Sequence, residues 1–278
     1  MNIVSVNYMI LTINTVCNLN CKLCATGIPF VHGTNYPVDE VLQYALRAME
    51  LIDHVGHFDL CGGETLLHPK IHEIVKETAK LLRGKCDELR ILTNGTIIPN
   101  DQTIDSIHET TASGMGFLFL IDNYALPGTK IGEVTKKLTA AGIPYRENVY
   151  TGDKQFSDGW VDYKFDESVP TVKHDTESAA RETFRDCYFS RVNMWEIGRG
   201  KLLPCCYLFT RDLMGQFLAE PGEYVDLFDD TMPIEKKREI IRSGGTRGVH
   251  YGACKYCCGL GKNAPRFSAA EQMAKAKA

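Results

Sequence analysis

The stretch "CNLNCKLC" (residues 17–24) puts Cys17, Cys21 and Cys24 in one loop, with three and then two residues between them. A structural zinc site wants four ligands, usually as two close pairs. Here the next cysteine is Cys61, and the first histidine to follow is His32. Three thiolates on one face of a cubane iron–sulfur cluster leave one iron without a protein ligand, open to something else. A zinc loop completed by a distant residue is the other arrangement that this spacing allows.

Working outward, the totals bound the answer. A chain of 278 residues has room for one large α/β domain with a small appendage, or for two modest domains. Hydrophobic residues make up 44% and charged residues 24%, as in ordinary globular proteins. A net charge of −4 without a long basic run argues against nucleic acid as a partner. The start, "MNIVSVNYMILTINTVC", has neither a cationic segment nor a small-residue cleavage site, so it does not read as a signal peptide. No stretch approaches the roughly 20 apolar residues of a membrane span. Eleven cysteines in a reducing cytoplasm point to metal or redox chemistry rather than disulfides.

The first half of the chain alternates. Strand patterns at 8–17, 57–63, 89–95, 115–122 and 143–150 are separated by helical patterns at 38–52, 69–84, 101–110 and 131–142. Repeated strand–helix units predict a parallel sheet, doubly wound or rolled into a whole or partial barrel. From 151 to 180 the pattern loosens. Residues 193–207 then read as a β-hairpin turning at Gly198 to Gly200, 233–245 as a short helix, and 268–278 as helix-prone or frayed. The boundary expected near 180 gives three parts: 1–180, 181–265 and a tail, 266–278.

With these elements placed, the motifs acquire a context. "CNLNCKLC" after the first strand resembles the CxxxCxxC signature of the radical S-adenosylmethionine (SAM) superfamily. "GGET" (62–65), one strand later, resembles that superfamily's GGE motif, and "LTNG" (92–95) and "LIDN" (120–123) end the next two strands. The resemblance covers roughly the first 150 residues. It implies a partial (β/α)6 TIM-like barrel, a [4Fe–4S] cluster on Cys17, Cys21 and Cys24, and SAM held by Leu23, Gly62, Gly63, Glu64, Thr93, Asn94 and Asp122. Leu23 departs from the aromatic residue common before the third cysteine, but an aliphatic side chain still presses on adenine. Two glycines without Cβ atoms let backbone approach a cofactor closely, and the Glu64 carboxylate is placed to accept from the SAM ammonium. All these motifs fall at C-terminal strand ends, where barrel enzymes keep their active sites.

The second cysteine group is Cys187, Cys205, Cys206, Cys254, Cys257 and Cys258. Its layout around a hairpin and a helix resembles the twitch domain, the shortened SPASM extension of radical SAM enzymes. That resemblance implies an auxiliary [4Fe–4S] cluster on Cys187, Cys205, Cys254 and Cys257, with Cys206 or Cys258 able to replace its neighbour. A four-cysteine zinc site has the same spacing. Cys61 reads as a core residue or a hydrogen-atom donor, and Cys86 as structural. The eight histidines form no paired motif and read as surface or capping residues, His32 being the one nearest the cysteine loop. Arg146 and Glu147, at the end of the fifth strand, are candidates to face a substrate.

The chain is similar in size and second-cysteine spacing to the radical SAM aminocyclitol dehydrogenases. This implies oxidation of an alcohol of a small polar substrate, with the auxiliary cluster taking an electron and a flavodoxin or ferredoxin supplying the first cluster. Epimerisation through a cysteine hydrogen donor and maturation of a peptide or protein side chain are the alternatives within the family. A zinc-binding interaction protein is the alternative outside it, and it leaves "GGET" and "LTNG" unexplained. No membrane partner is expected.

Overall fold

The computed structural model describes residues 3–152, 155–244 and 250–274. Its first half runs β1 (Ser5–Thr12), α1 (Val38–Leu51), β2 (His54–Cys61), α2 (Ile71–Leu82), β3 (Cys86–Thr93), α3 (Asp101–Ala112), β4 (Gly116–Asn123), α4 (Ile131–Ala140) and β5 (Tyr145–Val149). The second half runs α5 (Glu177–Asp186), α6 (Tyr188–Arg191), β6 (Met194–Gly198), β7 (Lys201–Leu203), α7 (Cys206–Leu213), β8 (Val225–Asp226) and α8 (Ile234–Ser243).

The sheet has the order β5-β4-β3-β2-β1-β6-β7-β8. Strands β1 to β6 are mutually parallel, and β7 and β8 extend the β6 edge in antiparallel fashion. This is an α/β, radical SAM-type partial barrel of six parallel strands. The sixth strand lies past the boundary expected near residue 180, because β6 pairs with β1 through Tyr8–Met194 to Leu11–Ile197. Residue 180 therefore does not divide two sheets. The expected hairpin is β6–β7, turning at Arg199 and Gly200, both with positive φ (49° and 73°). Two such residues make the tight turn whose twist matches its strands.

Alternation along the strands sorts the side chains. Met9, Leu11, Phe58, Leu60, Leu89, Ile91, Phe119, Ile121, Trp195 and Ile197 join one core, beneath Ala45, Ile74, Val75 and Ile107 of the helices. The opposite face carries Tyr8, Ile10 and Thr12 on β1, Asp59 and Cys61 on β2, Arg90 and Leu92 on β3, Leu120 and Asp122 on β4, and Glu196 on β6. Asp59 and Arg90 close this inner face toward its lower end. Arg90 Nε and Nη2 donate to the two Asp59 carboxylate oxygens at 2.5 and 2.8 Å, and the guanidinium lies 5.0 Å from the Tyr8 ring centre. Removing either partner leaves a buried charge alone, so Asp59→Ala is expected to cost about 3–5 kcal/mol in denaturant unfolding.

A second apolar cluster joins Tyr163, Phe165, Leu203, Tyr207, Leu208 and Phe209. Over its described residues, up to 274, the tail is not helical: Gln272 forms an antiparallel bridge with Cys21, and Phe267 one with Trp160. Pairing with partners far off in sequence overrides the helix propensity of "AAEQMA". Residues 275–278, and Gly245 at the end of the expected short helix, lie outside the described residues. Among the described residues no helix is long and apolar enough to cross a membrane.

Candidate active site

The cysteine loop leaves the end of β1 and is shaped by its own backbone. Cys24 N donates to Cys21 O (3.2 Å), and Gly27 N to Cys24 O (2.9 Å). Gly27 ends the loop in the left-handed region (φ 58°), where a Cβ would sit 2.4 Å from Thr210 Cγ2 of α7. The sulfurs have donors nearby: Leu19 N is 3.4 Å from Cys17 Sγ and Gln272 Nε2 3.1 Å from Cys21 Sγ. Burial pushes the Cys17 thiol up to about 12 and the Cys21 thiol up to about 11, and neighbouring thiolates of the loop add to the rise in both. Three cysteines in one loop, with N–H donors beside the sulfurs of Cys17 and Cys21, fit an iron–sulfur cluster bound by thiolates. Leu23 sits half-buried between the last two cysteines.

The two glycines of "GGET" serve chain-to-chain contact here. A Cβ on Gly62 would lie 2.3 Å from Asn14 O, and one on Gly63 2.2 Å from Val16 O and 3.0 Å from Cys17 Cβ. Asn14 locks the crossing: its Oδ1 accepts from Gly63 N and its Nδ2 donates to Glu64 O. Glu64 is wholly buried. Its carboxylate accepts from Asn94 N (2.7 Å), Thr93 Oγ1 (2.7 Å) and Leu66 N (3.0 Å). Burial still raises this carboxyl to about 7, against the lowering by those three donors. Asn94 Nδ2 in turn reaches Asn18 Oδ1 at 3.1 Å and Cys17 Sγ at 3.7 Å. One carboxylate thus ties the second and third motifs together behind the first cysteine.

Asp122, Asn148, Tyr124 and Tyr150 form the far wall of the inner face. Asn148 Nδ2 donates to Asp122 Oδ1 (2.9 Å) and Tyr124 Oη to Oδ2 (3.3 Å). Loss of water around this carboxyl raises it to about 6. The structure separates the Arg146–Glu147 pair. Arg146 registers with Leu120 on Asp122's side of the sheet and lowers the Asp122 carboxyl by its charge. Glu147 is on the other face of this edge strand, exposed, and accepts from Asn123 Nδ2 at 2.7 Å. His32, the histidine nearest the loop in sequence, is exposed and pairs with Thr34. Among the other histidines, His68 bonds the Tyr36 carbonyl and the Lys70 amide, a capping role.

The sequence reading missed Glu196. It is 0% exposed, and its Oε1 accepts from Thr12 Oγ1 at 2.8 Å. Its Oε2 is buried and has no hydrogen-bond partner among the described residues. Burial raises the carboxyl to about 8. Its charge acts on Cys61 on one side and on Cys205 and Cys206 on the other. The available signal was a lone acid in the apolar run "MWEIG".

Beyond Glu196, a cavity is lined by Cys187, Cys205, Cys254 and Cys257 between aromatic walls that include Phe184, Phe189 and Tyr207. Gly259 N donates to Cys257 Sγ (3.2 Å) and Leu260 N to Cys187 Sγ (3.4 Å). Of the adjacent pairs, Cys205 and Cys257 are the members in the lining. Cys206 opens α7 and is buried, and Cys258 turns its sulfur to the Asp162 carbonyl at 3.6 Å. Among the described residues no three Cys, His, Asp or Glu side chains converge on a single-ion position. The four thiols instead ring an apolar space with N–H donors beside two of them, a donor set that fits an iron–sulfur cluster.

The family model described as Radical SAM superfamily matches residues 11–117. A GTP 3′,8-cyclase of Syntrophomonas wolfei subsp. wolfei is 28% identical over 96 residues, which is 34% of this chain and 28% of that protein. The same enzyme of Microcystis aeruginosa is 26% identical over 98 residues, 34% of this chain and 29% of that protein. The matched segment thus spans less than a third of the length of these curated relatives. The crystal structure of BtrN in complex with AdoMet and 2-DOIA aligns over 96% of this chain and 97% of that one, with a TM-score of 0.54 at 17% identity, a likeness of fold. The cysteine loop, the two glycines crossing it and Glu64 all lie inside the segment that matches the Radical SAM superfamily model, and over this segment the chain is similar to that superfamily.

Proposed function

We propose that this protein is a radical SAM dehydrogenase that oxidises a hydroxyl of a small polar substrate of the sugar or aminocyclitol kind to a ketone. Cys17, Cys21 and Cys24 would hold a [4Fe–4S] cluster with its open iron facing SAM, and Cys187, Cys205, Cys254 and Cys257 a second cluster. Bound there, these groups would supply a 5′-deoxyadenosyl radical to remove hydrogen and an acceptor for one electron. A flavodoxin- or ferredoxin-type donor is the partner that such chemistry calls for.

The observation that carries this reading is the four-thiol cavity beside the inner face of the barrel, with Glu196 acting on Cys61 on one side and Cys205 on the other. Turning a carbinol into a ketone releases a hydrogen atom, an electron and a proton, and the chain itself must take the proton. Glu196 is built for that: Thr12 fixes one carboxylate oxygen and leaves the other for the substrate hydroxyl. Arg146, Asp122 and Asn148 offer polar groups across the inner face to orient the rest of the substrate.

Iron and sulfide per chain on anaerobically purified protein test the reading, with the Cys17→Ala/Cys21→Ala/Cys24→Ala variant alongside. About eight irons falling to about four is the expected result. About four falling to none would remove the second cluster and with it the oxidation. One observation favours epimerisation instead: Cys61 is partly exposed on the inner face, at the register of Thr12. Turnover in deuterium oxide separates the two, because an epimer quenched by a thiol carries solvent deuterium at the reacting carbon.

A further inference from the structure

Residues 267–274 run as a strap from the end of the barrel to the cysteine loop. Phe267 and Trp160 exchange two backbone hydrogen bonds of 2.8 Å. Further on, Lys22 N donates to Glu271 O and Met273 N to Asn20 O, both at 2.8 Å. Asn20 Nδ2 adds a bond to Met273 O (3.1 Å), and the Lys22 ammonium lies 3.6 Å from the Glu271 carboxylate. The strap leaves Cys21 7% exposed, the most enclosed of the three loop cysteines.

The side chain of Gln272 is oriented by its own partners. Asn20 N donates to Oε1 at 2.8 Å, which fixes which end of the amide is oxygen. The NH2 end is thereby turned to Cys21 Sγ at 3.1 Å and to Ala270 O at 2.8 Å. A donor aimed at a cluster sulfur withdraws negative charge from it and favours the reduced, more negative cluster.

We propose that Gln272 is a positioning residue for the first cluster. On this assignment its amide raises the reduction potential through Cys21, while the strap shields that sulfur from solvent and oxygen. This rests on the reading that Cys17, Cys21 and Cys24 hold a [4Fe–4S] cluster.

The test uses the full chain, reconstituted anaerobically, as wild type, Gln272→Leu, Gln272→Glu and Met273→Pro. Iron per chain is measured first, then the midpoint potential of the paramagnetic signal that shifts when SAM is added. Gln272→Leu is expected to lower that potential and Gln272→Glu to lower it further, with iron unchanged. Met273→Pro removes the strap's donor to Asn20 and is expected to speed bleaching in air several-fold. Equal potentials in wild type and both Gln272 variants, with iron in place, would overturn the role of the amide. An air-bleaching rate unchanged in Met273→Pro would overturn the shielding. A wild type whose iron count does not fall in the triple-cysteine variant fails at the earlier step, the cluster assignment itself.

Discussion

Glu196→Gln is expected to lower ketone formation about 100-fold or more, while cleavage of SAM to 5′-deoxyadenosine stays within a few-fold of wild type. The amide keeps the size of the side chain and can still meet Thr12, but it cannot take a proton. Deoxyadenosine without matching ketone, both measured by mass spectrometry in one reaction, is the signature of a lost base. Equal loss of both products would instead place Glu196 in the framework of the site. The pH dependence follows from the same group. With a proton held to about pH 8 in the folded chain, ketone formation in wild type should rise with pH and level off above about 8. Stability runs the other way. Below the ordinary carboxylate range both folded and unfolded chains are protonated at this position. Between about 4.5 and 8 the unfolded chain ionises while the folded one does not, so wild type loses stability across that window. The loss is on the order of a few kcal/mol. Glu196→Gln has no such term, so its melting temperature should gain on wild type between pH 5 and pH 8.5.

Gly63→Ala is expected to empty the first cysteine site and spare the second, taking iron from about eight per chain to about four. The added Cβ would stand 2.2 Å from the Val16 carbonyl oxygen and 3.0 Å from Cys17 Cβ. Both are parts of the backbone crossing, so relief requires moving the stretch that sets Cys17. Overpacking of this kind costs about 1–3 kcal/mol, enough to displace a loop without unfolding the barrel. Gly132→Ala, on α4 with open space around the new methyl, is the matched control and should retain full iron. Full iron in Gly63→Ala would show that the loop yields cheaply and that the crossing does not fix the thiols.

Much of the barrel was legible because its strands and helices differ in period, and each motif falls where a strand ends. The sixth strand was harder to read. Its five residues look like one arm of a hairpin, which they also are, and nothing local shows that β1 is the other neighbour. The glycines of "GGET" were read as room for a cofactor. A Cβ on either would also meet Asn14 or Val16 of the chain, a constraint that depends on a crossing the sequence does not display. Glu196 and Gln272 were invisible for a related reason. Each is an ordinary residue whose meaning comes from a partner 184 and 251 positions away, respectively. Which member of each adjacent cysteine pair lines the cavity likewise depends on the geometry of the first turn of α7 and of the bend at Gly259.

The strap also sets an order of events during synthesis. Gln272 is made 251 residues after the cysteine that it covers. At roughly 5–20 residues per second, a growing chain presents the first cysteine loop uncovered for some tens of seconds. The thiols therefore precede their cover by 251 residues, and the loop stays open until Gln272 has been made.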